Sequence, residues 1–154
     1  MYLSSICFVA TVVAAIGLKQ FERYPEMLKR RREIISRYDS ALKPLGVKAL
    51  PHYTSEHESS GHLFITEIPN ITYEQRGEII TKMAERDIAC NVHYKPLPMH
   101  TAYKELGFDI QNYPNAYNHF AHEITLPLHT CLTDEQVQYV IDNFVAILRE
   151  YLSC

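Results

Sequence analysis

The chain has 154 residues, 47% apolar and 21% charged, with a net charge of −3. That length fits one domain, or one domain with a short appendage, and it can bury roughly two-thirds of its unfolded surface without a disulfide or a metal. The charge balance lacks the basic excess of a dedicated nucleic-acid binder. Eight Pro and five Gly are too few for a collagen-like or linker sequence. The four cysteines, Cys7, Cys90, Cys131 and Cys154, stand far apart with no C-x-x-C pair. That spacing matches neither a zinc site nor a disulfide framework and reads as free thiols in a reducing cytoplasm.

Residues 1–18 carry no charge. The stretch lies at the lower limit for a membrane span, but Ser4, Ser5, Thr11 and Gly17 dilute it and no basic n-region precedes it. A buried helix is therefore expected rather than a membrane anchor. Over residues 19–42, Phe21, Tyr24, Leu28, Ile35, Tyr38 and Leu42 recur at intervals of three, four and seven, which predicts an amphipathic helix. Pro25 predicts the first turn of a second helix. The run Lys29-Arg30-Arg31-Arg32 points in four directions and reads as a solvated surface.

Pro44 and Gly46 close this region, and residues 47–50 form a short expected strand ended by Pro51. Residues 62–68 alternate apolar side chains up to Pro69, which predicts a second strand. Thr72 with Gln75 has the form of a capping box, opening a helix to about Arg86 with Ile79, Ile80 and Met83 on its inner face. Residues 88–94 read as a third strand stopped by Pro96 and Pro98, followed by a short helix over 101–106. Pro114 opens another helix to about Glu123, and residues 125–129 are extended, weakened as a strand by Pro127. Thr133 with Gln136 is a second capping box. Val137, Val140, Ile141, Phe144, Ile147, Leu148 and Tyr151 behind it line the clearest amphipathic helix in the chain. The expected class is α+β, a small antiparallel or mixed sheet covered by helices.

The chemistry is harder to read. His52, His57 and His62 are spaced by five, and His119 and His122 by three, but no H-E-x-x-H motif or Cys/His cluster accompanies them, so no metal site is assigned. There is no nucleophile elbow, phosphate loop or dinucleotide fingerprint, and Cys90 reads as an apolar filler within a strand. One cluster stands out: His93 and Tyr94 run directly into Lys95-Pro96-Leu97-Pro98. Paired prolines force an extended exit and leave the two polar aromatic residues at a strand end, where sites are commonly built. The alternative is a half-buried pair satisfying local hydrogen bonds.

Several motifs also match a known family. Ala14-Ala15-Ile16-Gly17-Leu18-Lys19-Gln20, then Arg30-Arg31-Arg32-Glu33-Ile34 with Tyr38, resemble the start of the C-terminal part of the DegT/StrS-type sugar aminotransferases. His62-Leu63-Phe64, Val92-His93-Tyr94-Lys95-Pro96-Leu97, Leu126-Pro127-Leu128-His129 and Leu132-Thr133-Asp134-Glu135 follow in the family's order. The resemblance covers about residues 14–152. It implies the small C-terminal domain of the aspartate-aminotransferase fold (fold type I), in an enzyme that uses pyridoxal phosphate to move an amino group, usually from glutamate, to a keto nucleotide-sugar. It also implies His93 and Tyr94 as substrate-binding residues facing the cleft between two domains, His93 as a polar contact and Tyr94 as a stacking or hydrogen-bonding wall.

The family's Schiff-base lysine lies in a large N-terminal domain, and no lysine here sits in that motif. No catalytic, cofactor-binding or metal-binding residue is therefore assigned, and the chain is expected to bind no pyridoxal phosphate and to transaminate nothing by itself. Where the family carries a G-Y-N-Y-R-M-type stretch, this chain has Ser4-Ser5-Ile6-Cys7-Phe8-Val9. Residues 1–13 are thus expected to be foreign to the family, from a truncated or frame-disrupted gene or an altered start, and residues 14–154 to form the aminotransferase-like domain. The expected partners are a second copy of the chain or a separate large domain, with the nucleotide-sugar in the complete enzyme. The rival reading is a non-enzymatic interaction module that keeps the fold.

Overall fold

A computed structural model describes residues 2–152, with side chains from residue 10 onward. Among these residues the chain forms five α-helices and three β-strands: α1 (Tyr2–Leu42), β1 (Lys48–Ala49), β2 (Phe64–Glu67), α2 (Tyr73–Ala84), α3 (Thr101–Glu105), α4 (Pro114–His122), β3 (Glu123–Leu126) and α5 (Asp134–Leu152). The strands make one antiparallel sheet in the order β1-β2-β3, so the α+β expectation holds in its antiparallel form.

Local signals account for most boundaries. Gly46 adopts a left-handed conformation at φ 74° and returns its N–H to the Lys43 carbonyl, closing the 3-10 turn after α1. Both capping boxes form: the Gln75 N–H donates to Thr72 Oγ1 and the Thr72 N–H to Gln75 Oε1, and Thr133 and Gln136 repeat the exchange before α5.

Opposite residues of an antiparallel pair share a face. Phe64 pairs with Leu126 and Thr66 with Ile124, and this face meets the helices. Ile34, Ile35, Tyr38 and Leu42 of α1, Ile79 and Met83 of α2, and the α5 stripe from Val137 to Leu148 join Phe64, Ile124 and Leu126 in one buried cluster, with Tyr151 partly buried against it. Tyr38 packs its ring on Phe64 with centroids 5.0 Å apart and donates its hydroxyl to the Pro127 carbonyl at 2.9 Å; burial pushes its phenol pKa up. The other face carries Ile65, Glu67, Glu123 and Thr125.

Two expectations need correction. Helix α1 runs unbroken through Pro25 instead of restarting there. Pro25 lies on an exposed stretch, where water can take the carbonyl left without a donor. The apolar N-terminal part is not buried either: residues 10–26 are all exposed, because nothing described covers this end of α1. No described helix is long and apolar enough to cross a membrane.

The basic run is solvated in part: Lys29 and Arg32 are exposed, while Arg30 and Arg31 are half-buried. Arg30 donates to Asp134 Oδ1 at 2.8 Å and to the Leu132 carbonyl at 2.6 Å, and Arg32 pairs with Glu58 and lies 4.4 Å from the Tyr53 ring centroid. The run thus ties α1 to the start of α5 and to the 51–61 loop. At the end of that loop Gly61 (φ 63°) lies so close to α1 that an added Cβ would meet Ile35 Cδ1 at 2.9 Å.

Candidate functional site

Residues 88–94 do not form the expected third strand. Asn91 alone bridges to the sheet, exchanging both backbone hydrogen bonds with Thr125 at 3.1 and 2.8 Å. Beyond it side chains take the backbone donors that a ladder would use. Asn91 Oδ1 accepts the Val92 N–H at 2.8 Å, and Glu123 Oε2 accepts the His93 N–H at 2.9 Å. Pro96 and Pro98, without N–H groups, then lead the chain away from the sheet.

This diversion places His93 over the face that carries Glu123 and Thr125. The His93 Nδ1 lies 2.9 Å from Thr125 Oγ1, and the Thr125 hydroxyl donates to Glu123 Oε1. Glu123 is fully buried and Thr125 nearly so. Tyr94 stands beside His93 edge-to-face, with centroids 4.7 Å apart at 88°, and is 72% exposed. The two residues picked out by sequence are therefore together, one anchored and the other open to solvent. Sequence reading missed Glu123 and Thr125. Their i, i+2 spacing beside a short strand marks one face, but that face could be linked to His93 only through the fold.

The remaining histidines do not converge. His52 is buried, stacked on Phe64 at 5.8 Å with a 4° interplanar angle, and pairs through Nδ1 with Ser59 Oγ at 3.1 Å. His57 bonds Thr54 and the Pro51 carbonyl, and His119 lies 3.6 Å from Glu67. Among the described residues no three His, Cys, Asp or Glu side chains gather as a metal site. Burial pushes the Cys90 thiol up to about 12, which suits a packed side chain rather than a nucleophile. A surface cleft of about 620 Å³ between α1 and the 53–58 loop is lined by Arg32, Asp39, Tyr53 and His57 and includes neither His93 nor Tyr94.

Burial lowers the pKa of His52, and the Asp39 carboxylate opposes that shift. A histidine with a depressed folded value adds stability above its unfolded pKa of about 6.5, and this is lost as pH falls through the lower folded value. Unfolding midpoints in urea should therefore drop between about pH 7 and 5. His52→Phe, which keeps a ring on Phe64, should flatten that slope; an unchanged slope would refute the assignment.

Among the described residues no lysine is set in an enclosed pocket. A pyridoxal-phosphate site needs a lysine held in such a pocket with its amine readily deprotonated. Lys19, Lys29, Lys43, Lys48, Lys95 and Lys104 are exposed. Lys82 is half-buried, but hydrogen bonds to Glu150 and Tyr151 push its amine up to about 12, the opposite direction.

A three-stranded antiparallel sheet backed by helices is the fold this chain shares with solved sugar aminotransferases of fold type I. The chain belongs to the DegT/DnrJ/EryC1/StrS aminotransferase family, whose pattern matches residues 9–145. It is 32% identical over 142 residues to the spore coat polysaccharide biosynthesis protein SpsC of Bacillus subtilis, covering 88% of this chain and 36% of that protein. It is 31% identical over 146 residues to the dTDP-4-dehydro-2,3,6-trideoxy-D-glucose 4-aminotransferase of Saccharopolyspora spinosa, covering 92% of this chain and 35% of the relative. The pyridoxal-phosphate form of the putative sugar aminotransferase Spr1654 from Streptococcus pneumoniae superposes with a TM-score of 0.88 at 49% identity, over 92% of this chain and 36% of that one. The chain thus spans about a third of the length of these relatives.

Proposed function

We propose that this chain supplies the small-domain wall of a nucleotide-sugar aminotransferase site, with His93 as a polar contact and Tyr94 as a stacking or hydrogen-bonding surface toward the sugar nucleotide. The observation that carries this reading is the pair itself. His93 is fixed through Thr125 to a buried carboxylate while Tyr94, in ring contact with it, stays open. Holding one ring rigid and leaving its neighbour uncovered lowers the ordering cost of binding a ligand there. Pyridoxal phosphate bound elsewhere in the complete enzyme would carry the amino group from glutamate to the keto sugar. The residues of this chain bind and orient the acceptor.

A chimera tests the assignment, with this chain replacing the matching third of the S. pneumoniae protein. With a UDP- or dTDP-linked keto sugar and glutamate, it should transaminate. His93→Gln and Tyr94→Ala should each raise KM for the sugar nucleotide about tenfold with kcat little changed, the size of one lost polar or stacking contact. Unchanged KM in both variants, or a chimera that binds cofactor and fails to transaminate, would refute it. For the chain alone, borohydride reduction with pyridoxal phosphate should leave no stoichiometric adduct on any single lysine. One such adduct would place a cofactor site within this sequence.

The exposed apolar end of α1 supports a second reading, a protein-interaction module that keeps the fold. Under it the chimera would fold but be inactive, and the chain would still bind a partner through α1.

A further inference from the structure

We infer that Glu123 and Thr125 are positioning residues that hold His93 in a single imidazole tautomer, protonated at Nδ1, so that Nε2 faces outward as a hydrogen-bond acceptor. The argument is an accounting of donors. A threonine hydroxyl has one hydrogen to give. Here it goes to Glu123 Oε1, while the other carboxylate oxygen, Oε2, accepts the His93 backbone N–H at 2.9 Å. Thr125 Oγ1 can therefore only accept from His93 Nδ1, 2.9 Å away, and that nitrogen must carry the proton.

In a neutral ring the other nitrogen is then a bare acceptor, and nothing among the described residues bonds Nε2. The His93 N–H and the Thr125 hydroxyl both donate to Glu123, which has no exposure to solvent, so water does not compete for the carboxylate. The arrangement converts a buried carboxyl group on β3 into a fixed polarity of the His93 ring. If the proposed function holds, the group so presented selects a donor on the acceptor substrate, a sugar hydroxyl or an amide N–H.

The test reads the ring directly. In the full chain labelled with ¹⁵N-histidine, at pH 8 where an ordinary imidazole is neutral, long-range ¹H–¹⁵N correlation distinguishes the two tautomers. His93→Gln identifies the resonance. The wild-type chain should show the Nδ1–H form, and Thr125→Ser should keep it because the hydroxyl remains. Glu123→Gln should reverse it. The glutamine carbonyl must accept the His93 N–H, so its amide donates to Thr125. The hydroxyl then donates to His93 Nδ1, leaving the proton on Nε2. The substitution is nearly isosteric, and a contact that merely packs the loop would not invert the tautomer.

A wild-type ring protonated at Nε2, or a Glu123→Gln chain that keeps the wild-type tautomer, would overturn the inference. The readout needs no ligand, so it is separate from the proposed function. An inverted tautomer with unchanged sugar KM in the chimera would sink the functional reading alone. The converse result would sink the relay alone.

Discussion

Phe144→Ala is expected to lower the stability of the chain by about 3 to 5 kcal/mol, the range for truncating a buried aromatic residue. Phe144 has no exposure and lies at the middle of the α5 stripe, within a cluster fed by α1, α2 and both β2 and β3. Its neighbours belong to different elements joined by their own packing, so they cannot close together over the space the ring leaves. The cavity cost then adds to the lost burial. Leu106→Ala provides the contrast: Leu106 is 74% exposed, and its truncation should stay within about 0.5 kcal/mol. Urea midpoints at one fixed protein concentration measure both. Equal shifts in the two variants would mean that the cluster around α5 does not hold the domain together.

The second large effect concerns association. Val12, Val13, Ile16, Leu18, Phe21 and Tyr24 are all exposed, Leu18 by 69% and Phe21 by 73%. At about 100° per residue these positions spread over most of the helix circumference, and a helix that is apolar on most sides is ordinarily covered. At tens of micromolar the chain should therefore run as a dimer or larger species in light scattering. The double variant Ile16→Glu/Phe21→Glu should weaken that association by at least about a hundredfold, since it places two charges in an apolar contact. These side chains take no part in the core, so the urea midpoint of the dissociated variant should match that of dissociated wild type. A wild-type chain that is monomeric at every concentration would refute the prediction.

How much of this is legible in the sequence follows from the range of each interaction. The capping boxes at Thr72 and Thr133, the stop at Gly46 and the stripe of α5 are set by residues within four positions of one another, and sequence spacing carries them. The alternation at residues 62–68 likewise forecast β2, since one buried face imposes a period of two. His93 and Tyr94 stand out in the sequence because Pro96 and Pro98 close by mark where the chain turns away.

The fate of residues 88–94 was not legible, because the donors expected to extend a ladder go instead to side chains, one of them thirty positions away. The Glu123–Thr125–His93 chain was hidden for the same reason, with thirty-two positions between Thr125 and His93. The apolar stretch at the start of α1 shows the limit from the other side. Composition and periodicity determine that a helix forms and that much of its surface is apolar. Whether another surface covers it depends on residues far along the chain or on a partner, and only the assembled packing decides that.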